Sequence, residues 1–329
     1  MGQLPFEVKE PKILVKKEVQ TSDKFGTRPE DRTTEEMINY GIVNIDKPDG
    51  PSSHQVSSYV KDLLGVSKAG HSGTLDPGVT GVLPVAFGRA TRVTQSLLTA
   101  GKEYVCLMRL HKEVNETLLR RTMKEFVGKI KQLPPKKSAV KRQERFRTIY
   151  YLDLLDIDGK NVLFVTGTQA GTYIRKLCHD IGQELGVGAN MFELRRTKAG
   201  PFQENTLIKL QDLKDAVYYY KEKKDDKLLR KVIQPVEAAV SHLPKIWILD
   251  TTVDAICHGA SLKVPGIAKL DDGIEPDMKV AVLTLKGELV MVATANLTSQ
   301  KMLKDKKGIA AFPDQVFMEI GVYPRIEKV

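Results

Sequence analysis

Apolar positions along the chain follow two periods, and each period predicts a different kind of element. Helical spacing over 56–64, with Ser52 or Ser53 before it as a capping residue and Gly65 after it, predicts an amphipathic helix. Mostly apolar runs are typical of buried strands, and they occupy 42–45, 82–87 and 102–110. The first third of the chain is therefore expected to mix strands and helices.

The middle of the chain continues both periods. Two strand-like runs, 148–157 and 161–166, flank Asp158-Gly159, a pair typical of hairpin turns. Helical spacing predicts further helices, which cover 90–98, 115–130, 172–181 and a charged stretch over 207–239.

The pattern changes near Pro244, where short strands and turns replace the helices. The strand and turn segments cover 246–249, 255–267, 280–285 and 289–293, with Lys286-Gly287 as a hairpin tip. Residues 1–31 are polar and have no sustained period, so they predict an extension rather than a core. We therefore expect an extension of 1–36, a main domain of 37–244 and a C-terminal domain of 245–329.

Composition narrows the class of protein. A net charge of +10 and a pI near 9.3 favour a polyanionic partner, although a solvated basic surface has the same composition. Cys106, Cys178 and Cys257 are scattered without a CxxC pair, which argues against a disulfide framework and against a zinc site. No run approaches the ~18 apolar residues of a membrane span. A cytoplasmic location without membrane contact is expected.

One string stands out for its chemistry: GHSGTLDPGVTGVLPVAFGRATR, residues 70–92. Its single carboxylate, Asp76, is followed by Pro77, which restricts the backbone of both residues. His71, Ser72 and Thr74 lie beside it in sequence. An isolated Asp-Pro pair is more often a turn in which the carboxylate caps its own backbone.

The whole string resembles the catalytic loop of the TruB-type pseudouridine synthases, in the archaeal and eukaryotic branch of H/ACA guide-RNA particles. Other strings carry the same resemblance: DKPDGPSS (46–53), PPKKSAVKR (134–142), GTYIRKL (171–177), ELRRTKAGPF (193–202) and DAICHGASLKVPGI (254–267). The last string is similar to part of a PUA domain, in which Asp277-Met278 stands where Gly-Asp is usual. The resemblance implies an α+β fold: a catalytic domain on a mostly antiparallel sheet, a small β-barrel PUA domain, and an N-terminal extension packed on the PUA domain.

The resemblance also implies the roles of individual residues in isomerising uridine to pseudouridine, with no cofactor and no metal. Asp76 is the catalytic carboxylate, either as a nucleophile or as a base at C2′, and Arg175 pairs with it. Tyr104 stacks on the flipped base, and its hydroxyl is a candidate for removing the C5 proton. His71 and Tyr173 line the nucleotide pocket, and Leu194 forms part of its apolar wall.

Contacts with RNA are implied at three further places. Lys136, Lys137 and Lys141 belong to a substrate-holding loop, for which a solvated basic loop is the plain alternative. Lys47 is expected to reach a phosphate or to be a structural lysine, and Arg195, Arg196 and Lys198 to touch phosphate or to solvate a strand edge. The candidates for gripping guide RNA are His258, Gly259, Ala260, Leu262, Pro265 and Gly266, although the glycines also suit simple turns.

Three functional hypotheses follow. The first is the catalytic subunit of an H/ACA particle, acting on rRNA and possibly tRNA. Its implied partners are guide RNA, a small zinc-ribbon-like subunit, a small β-barrel subunit and a kink-turn-binding protein. The second is a stand-alone tRNA pseudouridine-55 synthase. The third is a non-catalytic PUA-type RNA-binding assembly factor, against which the intact Asp76, Tyr104 and Arg175 argue.

Overall fold

The computed structural model describes residues 2–8, 11–133 and 143–325. Its strands are β1 (Ile13–Val15), β2 (Gly41–Lys47), β3 (Ala69–His71), β4 (Thr80–Phe87), β5 (Lys102–Leu110), β6 (Gly128–Gln132), β7 (Arg145–Asp158), β8 (Asn161–Thr168), β9 (Ala189–Ala199), β10 (Phe202–Gln203), β11 (Gln234–Pro235), β12 (Lys245–Ile248), β13 (Leu262–Lys263), β14 (Ile267–Asp271), β15 (Lys279–Leu283), β16 (Leu289–Ala295) and β17 (Ile309–Val316).

Helices connect these strands. The α-helices are α1 (Thr34–Asn39), α2 (Ser53–Leu64), α3 (Thr94–Thr99), α4 (Glu116–Glu125), α5 (Ile174–Glu184), α6 (Leu210–Lys223), α7 (Lys227–Val232), α8 (Asp250–Cys257) and α9 (Ser299–Lys304). Short 3₁₀ helices cover Pro5–Glu7, Pro29–Asp31, Gly88–Val93, Glu204–Thr206, Val236–Val240 and Val264–Gly266. Within the described ranges, none of these helices has the length and apolar character needed to cross a membrane.

Strands β2 to β11 form one sheet, called the large sheet. Its order is β11-β2-β4-β9-β5-β8-β7-β6, with β3 paired to β4 and β10 paired to β9. Every pairing is antiparallel except β4 with β9, where Thr80 lies opposite Arg195 and Gly81 opposite Arg196. The expected α+β fold on a mostly antiparallel sheet is confirmed. The loop that enters β4 is thereby placed beside the middle of β9.

The close approach of β4 and β9 depends on a glycine. Gly81 has φ = +101°, and a Cβ there would lie 2.2 Å from the backbone oxygen of Arg196. Only glycine fits both the positive φ and the short inter-strand distance. This residue therefore fixes how closely the loop before β4 approaches β9.

Helix α2 forms as its sequence predicts. The Ser52 side chain accepts from the backbone of Gln55, whose own side chain accepts from the Ser52 backbone, and Gly65 ends the helix at φ = +70°. Its buried face, Val56, Val60 and Leu64, packs in one cluster with residues of β2 and β4. The helix thus covers the large sheet next to the Asp76 loop.

Two helix predictions are too long. The prediction over 115–130 becomes α4 followed by β6, because Gly128 at φ = +106° breaks the helix and Ile130 then alternates with lysines as in a strand. The stretch over 207–239 breaks at Lys224, which adopts φ = +57°, and again before Pro235, which lies in edge strand β11.

Strands β1 and β12 to β17 form a second sheet, called the small sheet, in the order β1-β14-β12-β15-β16-β17-β13. The hairpin of β15 and β16 turns at Lys286-Gly287, as predicted. The strand and turn prediction that begins at 255 is wrong at its start, because α8 occupies Asp250–Cys257 and buries Val253 and Ile256 at helical spacing. β1 pairs with β14, so the N-terminal extension contributes a strand to this sheet.

A shared apolar core joins the two sheets. Ile42, Val82 and Leu97 from the large-sheet side cluster with Leu283 and Phe317 from the small-sheet side, and all five are buried. Apolar burial of this kind is the main stabilising contribution where two layers pack. The two sheets are therefore held in a fixed relation near the site described next.

Candidate active site

Asp76 lies in the loop between β3 and β4, and backbone contacts hold that loop from behind. The Lys47 ammonium is fully buried and donates to the carbonyl oxygens of Pro48, Pro77 and Val79 at 2.9, 2.8 and 2.8 Å. The Ser53 hydroxyl donates to the Leu75 carbonyl at 3.1 Å and accepts from the Leu75 backbone nitrogen at 2.8 Å. These contacts fix the backbone on both sides of Asp76.

This placement corrects the expectation that Lys47 reaches a phosphate. Its three donors are used on backbone carbonyls, and burial lowers the pKa of its ammonium. The geometry fits the other role expected for Lys47, that of a structural lysine.

The Asp76 carboxylate pairs with the Arg175 guanidinium from the first turn of α5. About half of each side chain is exposed, 57% for Asp76 and 51% for Arg175, so the pair faces solvent rather than the core. Tyr173, at the start of the same helix, is held by Gln132: its backbone nitrogen donates to Oε1 at 3.0 Å, and its carbonyl accepts from Nε2 at 3.2 Å. The helix end that carries Arg175 is therefore anchored to β6.

Tyr104 lies on β5 directly opposite Arg196 on β9, so the two side chains leave the sheet on the same face. Arg196 is 1% exposed. Its guanidinium donates to the carbonyl of Val82 at 2.8 Å and to that of Gly73 at 3.2 Å. Since Gly73 belongs to the Asp76 loop, Arg196 ties that loop to β9, beside the strand that carries Tyr104.

His71 lies at the start of this loop as a neutral group. Its Nδ1 accepts from the Gly73 backbone nitrogen at 3.2 Å, and its ring meets the edge of the His54 ring at 5.9 Å. Burial, with smaller contributions from His54 and Arg196, lowers the pKa of His71 to about 4. At neutral pH this imidazole therefore adds shape and hydrogen bonding to the site, and no charge.

The described residues include no group of three or more His, Cys, Asp or Glu side chains arranged to hold a metal ion. The chemistry available at the site is that of a carboxylate, a guanidinium, a phenol and a neutral imidazole.

Comparison with known proteins identifies the family. Residues 61–174 match the model "TruB family pseudouridylate synthase (N terminal domain)", and residues 175–241 match "tRNA pseudouridylate synthase B C-terminal domain". The flanking segments match a DKCLD (NUC011) domain over 2–57 and a PUA domain over 244–317. A "Probable tRNA pseudouridine synthase B" of Methanosarcina barkeri is 55% identical over 325 residues, which are 98% of this chain and 96% of that protein. This chain belongs to the TruB family of pseudouridine synthases.

Other TruB relatives agree over almost the full length. The protein of the same name from Nanoarchaeum equitans is 54% identical and covers 98% of this chain and 92% of its own length. A chain of a Cbf5-Nop10-Gar1 complex matches with a TM-score of 0.94 at 53% identity, covering 98% of this chain and 99% of that one. A chain of an H/ACA RNP bound to a substrate RNA containing 2′-deoxyuridine matches with a TM-score of 0.91 at 50% identity, with the same coverage. The predicted family is confirmed, and the protein is an isomerase that acts on RNA.

For this TruB-family chain, the structure assembles most of the predicted catalytic residues and separates others. Asp76 and Arg175 pair, Tyr104 lies on the strand beside Arg196, and His71 contacts the Asp76 loop. Leu194 lies on β9 opposite Cys106, two residues before Arg196 and on the same face. It packs against the apolar cluster that includes the buried face of α5. Lys136, Lys137 and Lys141 lie outside the described residues.

The candidates for guide-RNA contact divide by exposure. Gly259, Ala260 and Pro265 are exposed, and the His258 side chain is 47% exposed with Nδ1 at 2.8 Å from the Asp254 carbonyl. Leu262 and Gly266 are buried, and Leu262 packs in the core of the small sheet. A direct contact of the Leu262 side chain with RNA is therefore corrected to a packing role.

Arg196, like Lys47, is buried, so the expectation that it touches phosphate or solvates a strand edge is wrong. Its neighbours behave differently: Arg195 pairs with Asp46 and Glu204, and Lys198 with Glu7. The sequence did carry a signal for the burial of Arg196. Side chains alternate between the two faces of a strand, so Arg196, two positions after Leu194 on β9, points to the same face as Leu194.

Proposed function

We propose that this protein is the catalytic subunit of an H/ACA guide-RNA particle and converts uridine to pseudouridine in rRNA, with tRNA as a second possible substrate. The observation that carries the proposal is the Asp76 carboxylate, held rigidly by Lys47 and Ser53 and paired with Arg175 at an exposed site. The names of the matching structures, a Cbf5-Nop10-Gar1 complex and an H/ACA RNP with substrate RNA, support the particle.

The reaction breaks the N1–C1′ bond of uridine and forms a C5–C1′ bond; the proton on C5 leaves to solvent, and N1 takes up a proton. No atom is gained or lost overall, so the enzyme must supply only a carboxylate, charge stabilisation and a place for the detached base. Asp76 acts as nucleophile or as base at C2′, and both roles remain open. Arg175 pairs with this carboxylate and holds its orientation.

Tyr104 and the residues around it complete the pocket for an extruded nucleotide. Its aromatic face suits stacking on the base, which must leave the RNA stack at a cost of a few kcal/mol. His71, Tyr173 and Leu194 supply neutral walls around the base, and a neutral His71 leaves Arg175 as the cation beside the carboxylate.

The residues proposed to bind RNA lie in several parts of the chain. A net charge of +10 favours RNA phosphates. The division into an extension (1–36), a catalytic domain (37–244) and a PUA domain (245–329) is part of the proposal, and the exposed His258, Gly259, Ala260 and Pro265 are its guide-RNA contacts. Lys136, Lys137 and Lys141 are proposed to hold substrate phosphates.

The proposed partners are guide RNA, the small zinc-ribbon-like and β-barrel subunits, and a kink-turn-binding protein. The proposed location is the cytoplasm, which fits three unpaired cysteines: Cys106, Cys178 and Cys257. The stand-alone tRNA synthase remains a second candidate because the curated relatives bear the name of that activity.

A tritium-release assay tests the proposal, because isomerisation replaces the hydrogen on C5 of uridine. RNA with C5-tritiated uridine is mixed with excess enzyme, with and without guide RNA and partner proteins. Asp76→Asn is expected to lower the rate by at least ~1,000-fold while RNA binding persists, since only the catalytic carboxylate is changed. Asp62→Asn, at a carboxylate with 65% exposure on α2, is the matched control and should leave the rate unchanged.

Retained turnover by Asp76→Asn would refute the catalytic assignment. Full turnover of a tRNA stem-loop without guide RNA, together with no gain from a guide, would favour the stand-alone enzyme. RNA binding without turnover under any condition would leave the non-catalytic assembly factor.

A further inference from the structure

A β-bulge in β9 lies beside Tyr104 and Arg196. These two residues are opposite each other, whereas Glu103, which precedes Tyr104 on β5, lies opposite Lys198. The ladder thus skips Thr197, which is an extra residue in β9. Bulges of this kind are common next to active sites, where they change the direction of side chains.

The bulge moves Lys198 to the face of the large sheet that carries Glu103. In a regular strand, Lys198 would point to the same face as Arg196, two positions earlier. Here the Thr197 hydroxyl donates to Oε1 of Glu103 at 2.8 Å, and the Lys198 ammonium lies 3.4 Å from Oε2. Two consecutive residues of β9 therefore meet one carboxylate. The alternation that directs Arg196 toward the Asp76 loop ends at this point.

A tyrosine from β7 completes the surroundings of this carboxylate. The Glu103 side chain is only 12% exposed, and its Oε2 also accepts a hydrogen bond from the Tyr151 hydroxyl. Gly167 on β8 lies opposite both residues, and a Cβ there would be 2.2 Å from the Tyr151 ring, so the ring crosses β8 over this glycine. Burial, followed by the hydrogen bond to Glu103, raises the pKa of the Tyr151 hydroxyl, which therefore stays a donor at neutral pH. Donors from two strands hold the carboxylate in one position.

The register of β5 on β9 also sets the distance between Tyr104 and Asp76. β4 begins after the Asp76 loop, and its Gly81 lies opposite Arg196 on the other side of β9. β9 is therefore the common neighbour of the strand that carries Tyr104 and of the strand that the Asp76 loop enters. A slip of one residue between β5 and β9 would turn the side chains of the slipped strand to the opposite face of the sheet.

We infer that Glu103 is a positioning residue for the isomerisation, because its carboxylate holds the bulge at Thr197. The bulge in turn fixes the register in which Tyr104 lies opposite Arg196. Glu103 points to the opposite face of β5 from Tyr104, so it acts through the backbone. The inference rests on the proposed function, in which Tyr104 faces the base. Displacement of a catalytic group by about 1 Å can cost ~100-fold in rate, which sets the largest effect expected.

The first test is Thr197→Val in the tritium-release assay. Valine keeps the shape and branching of threonine and removes only the hydroxyl that donates to Glu103. We expect kcat to fall about 10-fold while KM changes less than about 3-fold, because the bulge loosens and RNA binding persists. Thr197→Ser restores the donor and should return kcat to within about 3-fold of the unchanged protein.

Thr294→Val is the matched control in the small sheet. The Thr294 hydroxyl donates to the two carboxylate oxygens of Asp314 at 3.0 and 2.9 Å, between β16 and β17, so the same kind of contact is removed in the other sheet. The melting temperatures of both variants report the structural cost, whereas kcat of Thr294→Val should stay within about 2-fold. Equal kcat values for the two variants, or full activity of Thr197→Val, would overturn the inference.

Substitution of Glu103 tests the carboxylate itself. Glu103→Gln keeps an oxygen that accepts from Thr197, so kcat should stay within about 3-fold, whereas Glu103→Leu removes both acceptors and should lower kcat by about 100-fold. In the Glu103→Leu background, Thr197→Val is expected to cost less than about 2-fold more, since its acceptor is already gone. Additive losses would mean that Thr197 acts independently of Glu103 and would overturn the inference.

Should Glu103→Leu fail to fold, Thr197→Val and Thr197→Ser still decide, because neither removes a charge. Asp76→Asn separates this inference from the proposed function. Retained activity of Asp76→Asn would remove the proposed function, whereas an inactive Asp76→Asn together with a fully active Thr197→Val would remove only the role of Glu103.

Discussion

Lys47 and Lys16 each donate to three backbone carbonyl oxygens, but they lie in two regions of the molecule that differ in burial. Lys47 donates to three carbonyls behind the Asp76 loop, and Lys16 donates to those of Met302, Leu303 and Asp305 at 2.8 Å each, at the end of α9. Lys47 is fully buried, whereas Lys16 is partly exposed. An irregular loop that excludes water therefore depends on its lysine, while water can replace the lysine at an exposed helix end.

The largest expected effect is that of Lys47→Met. The substitution orphans three carbonyls in a dry site, so we expect a loss of about 4 kcal/mol in the free energy of unfolding, together with slower turnover. The matched variant Lys16→Met should lose about 1 kcal/mol and keep its turnover, because water reaches the freed carbonyls. Urea unfolding of both variants measures the difference, and similar losses would break the comparison.

Gly81→Ala extends the comparison to the backbone. Its Cβ would lie 2.2 Å from the Arg196 oxygen at a φ of +101°, so we expect a loss of about 3 kcal/mol from strain and overpacking. Gly287, at the hairpin tip of the small sheet, has φ = +88° and no atom within 4 Å of an added Cβ. Gly287→Ala should lose only about 1 kcal/mol, from strain alone. The difference in thermal stability between the two variants measures the cost of disturbing the close approach of β4 to β9.

A third prediction concerns the pH dependence of stability and the buried His242. Its ring packs edge-on against the ring of Phe6, with 5.6 Å between the ring centroids. Burial, followed by the charges of Lys102 and Lys245, lowers the pKa of His242 to about 4. Between this value and ~6.5 the unfolded chain binds more protons than the folded one, so stability falls as the pH falls. From pH 7 to pH 5 the expected contribution of His242 to the loss of stability is about 2 kcal/mol.

His242→Phe keeps the aromatic contact and removes the titration. Its unfolding free energy should therefore fall less than that of the unchanged protein over the same pH range. An identical pH dependence in the two proteins would show that other groups carry the acid sensitivity.

The smallest expected effect is a gain from Asp277→Gly in the small sheet. Asp277 adopts φ = +69°, in the turn where PUA-like sequences usually have glycine. Glycine relieves the strain of that conformation but adds freedom to the unfolded chain, so we expect a gain of about 0.5 kcal/mol. A decrease in melting temperature would mean that the aspartate side chain stabilises this turn.

The comparison also explains what could be predicted from the sequence. Helix α2 and the hairpin of β7 and β8 followed from local signals, a capping serine and an Asp-Gly turn, because the energies that decide them lie within a few residues. Asp76 and Arg175 were identified because their motifs keep a family's spacing. Arg196 was not, because its burial depends on β5 and β4 packing against β9, and the alternation along β9 was its only local signal.

The same limit explains the errors at Lys47 and Leu262. A lysine beside prolines reads as a surface residue, and only the tertiary fold brings the carbonyls of Pro77 and Val79 to its ammonium. Leu262 lies in a string associated with RNA binding, yet its side chain points into the core of the small sheet. In both cases the direction of one side chain, and not the element that carries it, decided the role.

The pairing of β1 with β14 has a consequence for the order of assembly during synthesis. Ile13 lies opposite Asp271, so a ribosome must add more than two hundred residues after the first strand before its neighbour exists. Translation proceeds at roughly 5–20 residues per second, so the early strand waits unpaired for at least ten seconds or so while the central region folds. A nascent chain stalled before residue 267 would therefore expose its N-terminal strand to proteases.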